Sequence, residues 1–540
     1  MLKKYWSSLK ENNHWLVIIA GSLVWSLTMF KSGLVYKFGM GFWGPNGHDG
    51  VWHISLIQSL SSFSLNMPVF AGESLKNYHI GFDLILAIIH SITRIPISIL
   101  YFQIIPPFVA LGIGYFVYRF VLIWSKDKRI ALWSIFFVYF GSSFGLRGES
   151  MFWAQQSIST LINPPFALSL FIMFFILYRL TDFSTKTTSY ELFAISFLTG
   201  SLAFVKIYAA ILFLPGLFIA SLIDNKFRKL FVLSVLFSLL FYLPFNRGAS
   251  SLIVFQPFWF LENMLGLSDR FFWPKLYQAM IVYKTTRNLF KFIPAYGLAA
   301  AIFIAGNLGT RLIALLNIKK IKPDIFTIIL LTSSLLGFLI PLFFIQQGTP
   351  WNTIQFFYYT QIFIGLFAAR AMPGLHKLIK VSIILIALFG INLTLKHYLP
   401  ANPPAKISTE ELTALKALSR LPQGATFTPP AVPDAYAPAP RPLYLYESTA
   451  YVSAFSGQPV YVEDTVNLNI TGFDWQNRIE AAKYFMTDSN LNSAREFLTT
   501  NNISYIYLSE VAKTRPVFSA SELGGKVIFE NSQAAIWQIK

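Results

Sequence analysis

The densest group of side chains able to do chemistry is a short polar run between apolar segments. It reads Gly44-Pro45-Asn46-Gly47-His48-Asp49-Gly50-Val51-Trp52-His53, followed by Glu73, Lys76-Asn77-Tyr78-His79 and Asp83. Four of the chain's seven histidines lie between positions 48 and 90. Asp49 stands in a glycine-flanked turn where a helix-like run, 51–60, begins. Unpaired N–H groups at a helix start favour an ionised carboxylate, which could then serve as a base. The same placement suits a capping aspartate with no chemistry, and spacing alone favours that reading. The flanking glycines would let a bulky substrate approach the backbone. His48 and Trp52, Asp49 and His53, and His79 and Asp83 are each four residues apart, so each pair could share a helix face. Asp49, His53, His79 and Asp83 together offer nitrogen and oxygen ligands for a divalent cation, the one cofactor the chain suggests. Histidines at a membrane surface, however, more often serve as simple hydrogen-bonding groups.

Other polar groups are sparse and stand beside apolar runs. Arg147 and Glu149 follow one such run, Lys206 sits alone in a tight turn between two others, and Arg270 lies in a longer polar stretch. Isolated cations of this kind suit a phosphate, with contact to lipid headgroups as the alternative for Lys206. The amide-rich stretch that includes Trp351, Asn352 and Gln355 could line a sugar site, or anchor a span at the membrane interface.

The elements that must position these residues are set by composition. The chain has 540 residues, 54% hydrophobic and 13% charged, with a mean hydropathy of +0.53. A soluble protein of this size carries about a quarter charged residues, so a soluble globular chain is excluded. Apolar runs of roughly 20 residues, enough to cross a bilayer as a helix, recur along it. They fall near 15–30, 98–124, 130–146, 164–180, 190–205, 208–223, 230–245, 293–316, 324–345, 353–370 and 379–396. Eleven spans predict an α-helical polytopic protein of the plasma membrane. Basic turns such as Lys126/Lys128/Arg129, Lys226/Arg228/Lys229 and Lys377/Lys380 place the N-terminus in the cytoplasm and the C-terminus outside. Large outside loops then run over 31–97 and 246–292. The apolar segment 80–95 is short and interrupted by Asp83 and His90, so it reads as a helix lying on the outer face.

The net charge of +18 does not point to nucleic acid. Residues 1–400 carry 32 Lys and Arg against 12 Asp and Glu, so the excess sits in the membrane part, where loops meet headgroups. The absence of cysteine excludes disulfides and thiolate chemistry. At about 398 the composition changes. A Pro-containing linker leads into helix-like segments at 408–420, 475–486 and 492–500. Apolar β-type runs stand at 443–446, 460–463, 503–508, 526–529 and 535–539. The division is therefore a transmembrane domain, 1–397, and a small extracytoplasmic α/β domain, 398–540, which carries no phosphate loop or metal motif.

With its long first outside loop bearing His48-Asp49-Gly50, the interfacial segment after it, the eleven spans and the outward α/β tail, the chain resembles polytopic glycosyltransferases of the GT-C superfamily. That class includes protein O-mannosyltransferases and aminoarabinose transferases. The runs 47–53 and 76–79 are also similar to those of bacterial members. Many members carry Asp-Glu where this chain has Asp49-Gly50. The resemblance implies a polyprenyl-phosphate-linked sugar as donor, and a glycan, lipid or protein acceptor on the outer face. It implies Asp49 as base, with His48, His53, Lys76, His79, Asp83, Arg147, Glu149, Lys206, Arg270, Trp351, Asn352 and Gln355 around the substrates. A flippase or transporter of lipid-linked saccharides would need the same outward cations, but also polar residues in mid-membrane, which are few. A polymerase or ligase of such saccharides is the nearest enzymatic rival.

Overall fold

The computed structural model describes residues 13–145, 150–184, 187–246, 253–320, 323–434, 436–512 and 516–539. The chain divides into two compact units. One comprises Met1–Thr28, Pro106–Pro244 and Ser250–Tyr398; the other comprises Met29–Ile105, Phe245–Ala249 and Leu399–Lys540.

Among the described residues, five helices are long and apolar enough to cross a membrane: Asn13–Phe30, Ile97–Ser125, Leu289–Asn317, Ile325–Phe343 and Lys377–Tyr398. The other segments expected as spans are shorter helices. Lys128–Phe140 has 13 residues, while Pro164–Leu180, Ser189–Val205, Ile207–Ile223, Lys226–Tyr242 and Gln355–Ala371 have 17 each. Several begin on side chains that satisfy the first free N–H groups. The Asn163 carbonyl oxygen accepts from Phe166 N ahead of Pro164-Pro165, Asp324 accepts from Thr327 N, and Thr188 forms a reciprocal box with Glu191.

Packing in the first unit turns on Tyr139. Its hydroxyl donates to Ala110 O at 2.7 Å and meets Ser22 Oγ at 3.0 Å, while Trp25 Nε1 donates to Tyr139 O at 2.9 Å. A side chain at Gly21 or Gly114 would run into the Tyr139 ring, so these two glycines set how closely three helices approach.

The second unit holds strands β1 (Val35–Tyr36), β2 (Gly39–Phe42), β3 (Ala405–Ile407), β4 (Ala425–Phe427), β5 (Arg441–Pro442), β6 (Ile503–Ser509), β7 (Gly525–Glu530) and β8 (Ala534–Ile539). One sheet has the order β1-β2-β3-β5 and the other β4-β6-β8-β7. The first sheet joins the loop after the first helix to the C-terminal region: Met40 pairs with Ile407, Gly41 with Lys406 and Phe42 with Ala405. Gly39 makes this possible. It has φ +104°, and a Cβ there would strike the Ile407 carbonyl. Further backbone bonds run from Val460 N to Pro68 O, Ala71 N to Val460 O and Glu463 N to Val69 O.

The unit's helices are α1 (Asp49–Ser61), α2 (Gly81–Thr93), α3 (Thr409–Leu418), α4 (Tyr451–Ser456), α5 (Thr465–Thr471), α6 (Gln476–Thr487) and α7 (Leu491–Thr500). On α2 the isoleucines 85, 88 and 92 are exposed, while Phe82, Asp83, Leu86 and Ala87 are buried. The segment Leu443–Tyr446, expected as a strand, is a single helical turn. It directly follows Pro442, the last residue of β5, which has no N–H to carry a ladder further.

Glu411 on α3 is buried and accepts from the Tyr507 hydroxyl at 3.1 Å. Burial, reinforced by nearby Glu510 and only partly offset by that hydroxyl, pushes its carboxyl from 4.5 up to about 8. The folded value exceeds the unfolded one, so the fold binds this proton more tightly. Its contribution is complete below about pH 4.5 and is lost as pH rises through about 8. A Glu411→Gln protein is therefore expected to melt several degrees above the native one at pH 8.5 and level with it at pH 5, read by thermal unfolding in detergent.

Candidate functional site

A single 3-10 turn, Gly44–Gly47, leads through His48 into α1, whose first residue is Asp49. The Asp49 carboxylate thus sits at the positive end of a 13-residue helix. Its side chain is 55% exposed, whereas that of His48 is 9% exposed. His48 lies between two carboxylates. Its Nδ1 is 3.0 Å from Asp49 Oδ1, and its Nε2 is 3.2 Å from Asp464 Oδ1. Ionised carboxylates only accept, so both ring nitrogens must donate and the ring is an imidazolium. Burial alone would lower the His48 pKa. The charges and hydrogen bonds of Asp464, then Asp49, outweigh it and hold the pKa well above 6.5.

Asp464 is fully buried at the start of α5. Asp464 Oδ1 also accepts from Asn467 N at 3.1 Å, and Oδ2 accepts from Asn467 Nδ2 at 2.9 Å. Glu447 belongs to the same cluster. Burial raises its pKa, the Asp49 and Asp464 charges add to the rise, and His48 opposes it. Neither Asp464 nor Glu447 was legible in the sequence as part of a site. Nothing local links Asp464 to a histidine 416 residues away.

The glycines beside Asp49 are needed for packing, not for access. A Cβ on Gly50 would come within 2.7 Å of Phe102 Cζ, and one on Gly47 within 3.1 Å of Tyr446 Cε1. Aromatic rings already fill the space reserved in the sequence reading for substrate.

The other first-loop residues are divided. His53 Nδ1 and Asp83 Oδ1 are 2.7 Å apart, both buried, and this pair joins α1 to α2. The His79 ring stacks on Tyr78 at 4.7 Å, and the Lys76 ammonium lies 4.2 Å from the Phe473 ring centre. The set Asp49, His53, His79 and Asp83 therefore does not assemble as ligands. Among the described residues no three His, Asp or Glu side chains are grouped to hold a metal ion. His48 has both ring nitrogens on carboxylates, and His53 has its Nδ1 on Asp83.

The remaining candidates belong to the first unit, except that Arg147 and Glu149 lie outside the described residues. Lys206 is extended between the helices Ser189–Val205 and Ile207–Ile223. It is 5% exposed, with its ammonium 5.0 Å from the Tyr208 ring centre. Arg270 stacks on Trp153 at 4.3 Å and donates to Ser150 Oγ at 2.8 Å. Gln355 accepts from Asn163 Nδ2 at 3.1 Å and reaches Asn352 Oδ1 at 3.4 Å, while Trp351 is half exposed.

No protein-family model matches the sequence, and no curated protein matches it. The chain is similar to several solved structures. The Archaeoglobus fulgidus oligosaccharyltransferase tethered with an acceptor peptide has a TM-score of 0.48 at 13% identity, over 99% of this chain and 75% of that one. AglB from the same archaeon, in complex with an inhibitory peptide and a dolichol-phosphate, scores 0.49 at 12% identity, over 93% and 70%. ArnT from Cupriavidus metallidurans bound to undecaprenyl phosphate scores 0.38 at 11% identity, over 97% of each chain. At such scores the likeness carries no argument about chemistry, which this chain's own residues must supply.

Proposed function

We propose that the chain is a membrane glycosyltransferase. It moves a hexosyl or pentosyl group from a polyprenyl-phosphate-linked donor to a glycan, lipid or protein acceptor on the outer face of the membrane. The observation that carries this reading is the half-exposed Asp49 carboxylate at the head of α1, hydrogen-bonded to the buried His48. A group poised in this way can take a proton from an acceptor hydroxyl or amine. The freed lone pair attacks the anomeric carbon, and the carbon–oxygen bond to the lipid phosphate breaks with its electron pair leaving on the phosphate. Configuration inverts. A phosphate leaves readily without a general acid, so a fixed cation is sufficient on that side. Lys206, buried with its ammonium 5.0 Å from the Tyr208 ring centre, is the residue proposed for that task.

The proposed topology has eleven spans, a cytoplasmic N-terminus and residues 398–540 outside the plasma membrane. Helices at all eleven expected segments and the basic turns near 126–129, 226–229 and 377–380 support it.

Three measurements test the reading. In this cysteine-free chain, a Ser489→Cys protein is expected to react with an impermeant maleimide in right-side-out vesicles. Labelling only after the membrane is broken would reverse the orientation. Asp49→Asn is nearly isosteric but cannot accept the proton, so transfer should fall about 10²–10⁴-fold while folding and donor binding persist. A purified variant within about threefold of native would place the base elsewhere. Lys206→Ala should weaken binding of an undecaprenyl-phosphate hexose by about ten- to a hundredfold, the loss expected for one charge-assisted hydrogen bond. Unchanged affinity would remove Lys206 from the donor site.

A further inference from the structure

We infer that Asp464 is a positioning residue for Asp49, acting through His48, so that the C-terminal region of the chain supplies part of the catalytic machinery. The inference rests on Asp49 as the base and deepens that reading. Three side chains form a line, Asp464 to His48 at 3.2 Å and His48 to Asp49 at 3.0 Å. It runs from a fully buried carboxylate, through a buried ring, to a carboxylate whose side chain is 55% exposed. Only the last member can meet a substrate, and the first two fix its orientation.

Asp464 is well fixed itself. Both its oxygens accept from Asn467, and its backbone is left-handed, with φ +50°. A non-glycine residue in that region is strained, least so for Asn and Asp. Capping α5 alone explains an oxygen acceptor at this position, because Asn, Ser or Thr would cap as well. It favours a charge only through the dipole of a short helix. A charge is explained by the imidazolium beside it, since a buried cation needs an anion.

The charged groups around His48 are Asp464, Asp49 and Glu447, and the Tyr101 and Tyr446 hydroxyls are within electrostatic reach of Asp49. With Asp464 neutralised, His48 keeps only Asp49 as a strong anionic partner and releases its proton at lower pH. Asp49 then loses the cation that holds it in place.

The discriminating variant is Asp464→Asn, which keeps the cap and the acceptor and removes the charge. The full-length protein in detergent would be assayed for release of undecaprenyl phosphate from a set of undecaprenyl-phosphate hexoses and pentoses. Expected results are a kcat at least about tenfold lower, a donor KM within about twofold of native, and an alkaline fall of activity moved to lower pH. A cap-only role would move none of these beyond general loss of stability. An Asp464→Asn protein with native kcat and an unmoved alkaline limb, alongside an inactive Asp49→Asn, would overturn this inference and leave the base assignment intact. An active Asp49→Asn would instead overturn the reading beneath it. The native protein supplies a check that needs no variant. Its alkaline fall should lie well above 6.5, and a fall at that ordinary imidazole value would overturn the inference.

Discussion

The second unit depends on one backbone pairing, β2 against β3. Three residue pairs from Met40–Ile407 to Phe42–Ala405 bind the first loop to a strand that begins after the last long helix. The Trp43 indole continues the seam by donating to Pro400 O at 2.9 Å. Closing so long a loop is costly in chain entropy, though the cost grows only slowly with length. It is offset by burial of the whole of β2 and of large rings beside it, Phe42 and Trp43 among them. Once that seam exists, His48 stands six residues past its end, and residues from the C-terminal region can reach it.

Two adjacent carboxylates then do different work. Glu463 accepts from Val452 N at 3.2 Å and Ser453 N at 2.9 Å, the first free N–H groups of α4. Burial pushes its carboxyl up to about 8, hydrogen bonds from Ser453 and Val452 oppose the rise, and Asp464 adds to it. α4 packs along α1, where Ser453 Oγ meets Ser55 Oγ at 2.7 Å. Glu463 therefore fixes the body of α1 through its neighbour, while Asp464 fixes its head through His48. One turn of loop steadies the whole helix that carries Asp49.

How much of this was legible in the sequence follows from range. Apolar runs of bilayer length predicted the helices because each run contains its own evidence, and Asp49 with His48 stood out because the polar run is local. The strands at 503–509 and 534–539 were legible from alternation and β-branched content for the same reason. What failed was non-local. The union of residues 29–105 with 399–540 leaves no mark in composition, which breaks at 398 but says nothing of what the second part touches. Gly47 and Gly50 were misread because their freedom serves Tyr446 and Phe102, rings distant in sequence. An i, i+4 spacing fixes a helix face but not the partner opposite, and His53 meets Asp83 on α2.

The same contrast of local and distant partners distinguishes how the two units treat a buried cation. In the second, His48 is matched by carboxylates. In the first, Arg311 is fully buried on an apolar segment, with its guanidinium donating to Gly141 O at 3.0 Å and to Ser157 Oγ. Gly141 ends the helix Lys128–Phe140, so the cation lies against the negative end of a helix dipole. Such a site gives partial charge in several small pieces and avoids desolvating a carboxylate, which in an apolar setting would cost several kcal/mol. It also constrains the helix end: a Cβ on Gly141 would fall within 2.6 Å of the guanidinium carbon. Residues 1–400, with 32 basic and 12 acidic side chains, have too few acids to pair every cation. Carbonyls and rings, as at Arg311 and Lys206, are among the partners such a composition leaves.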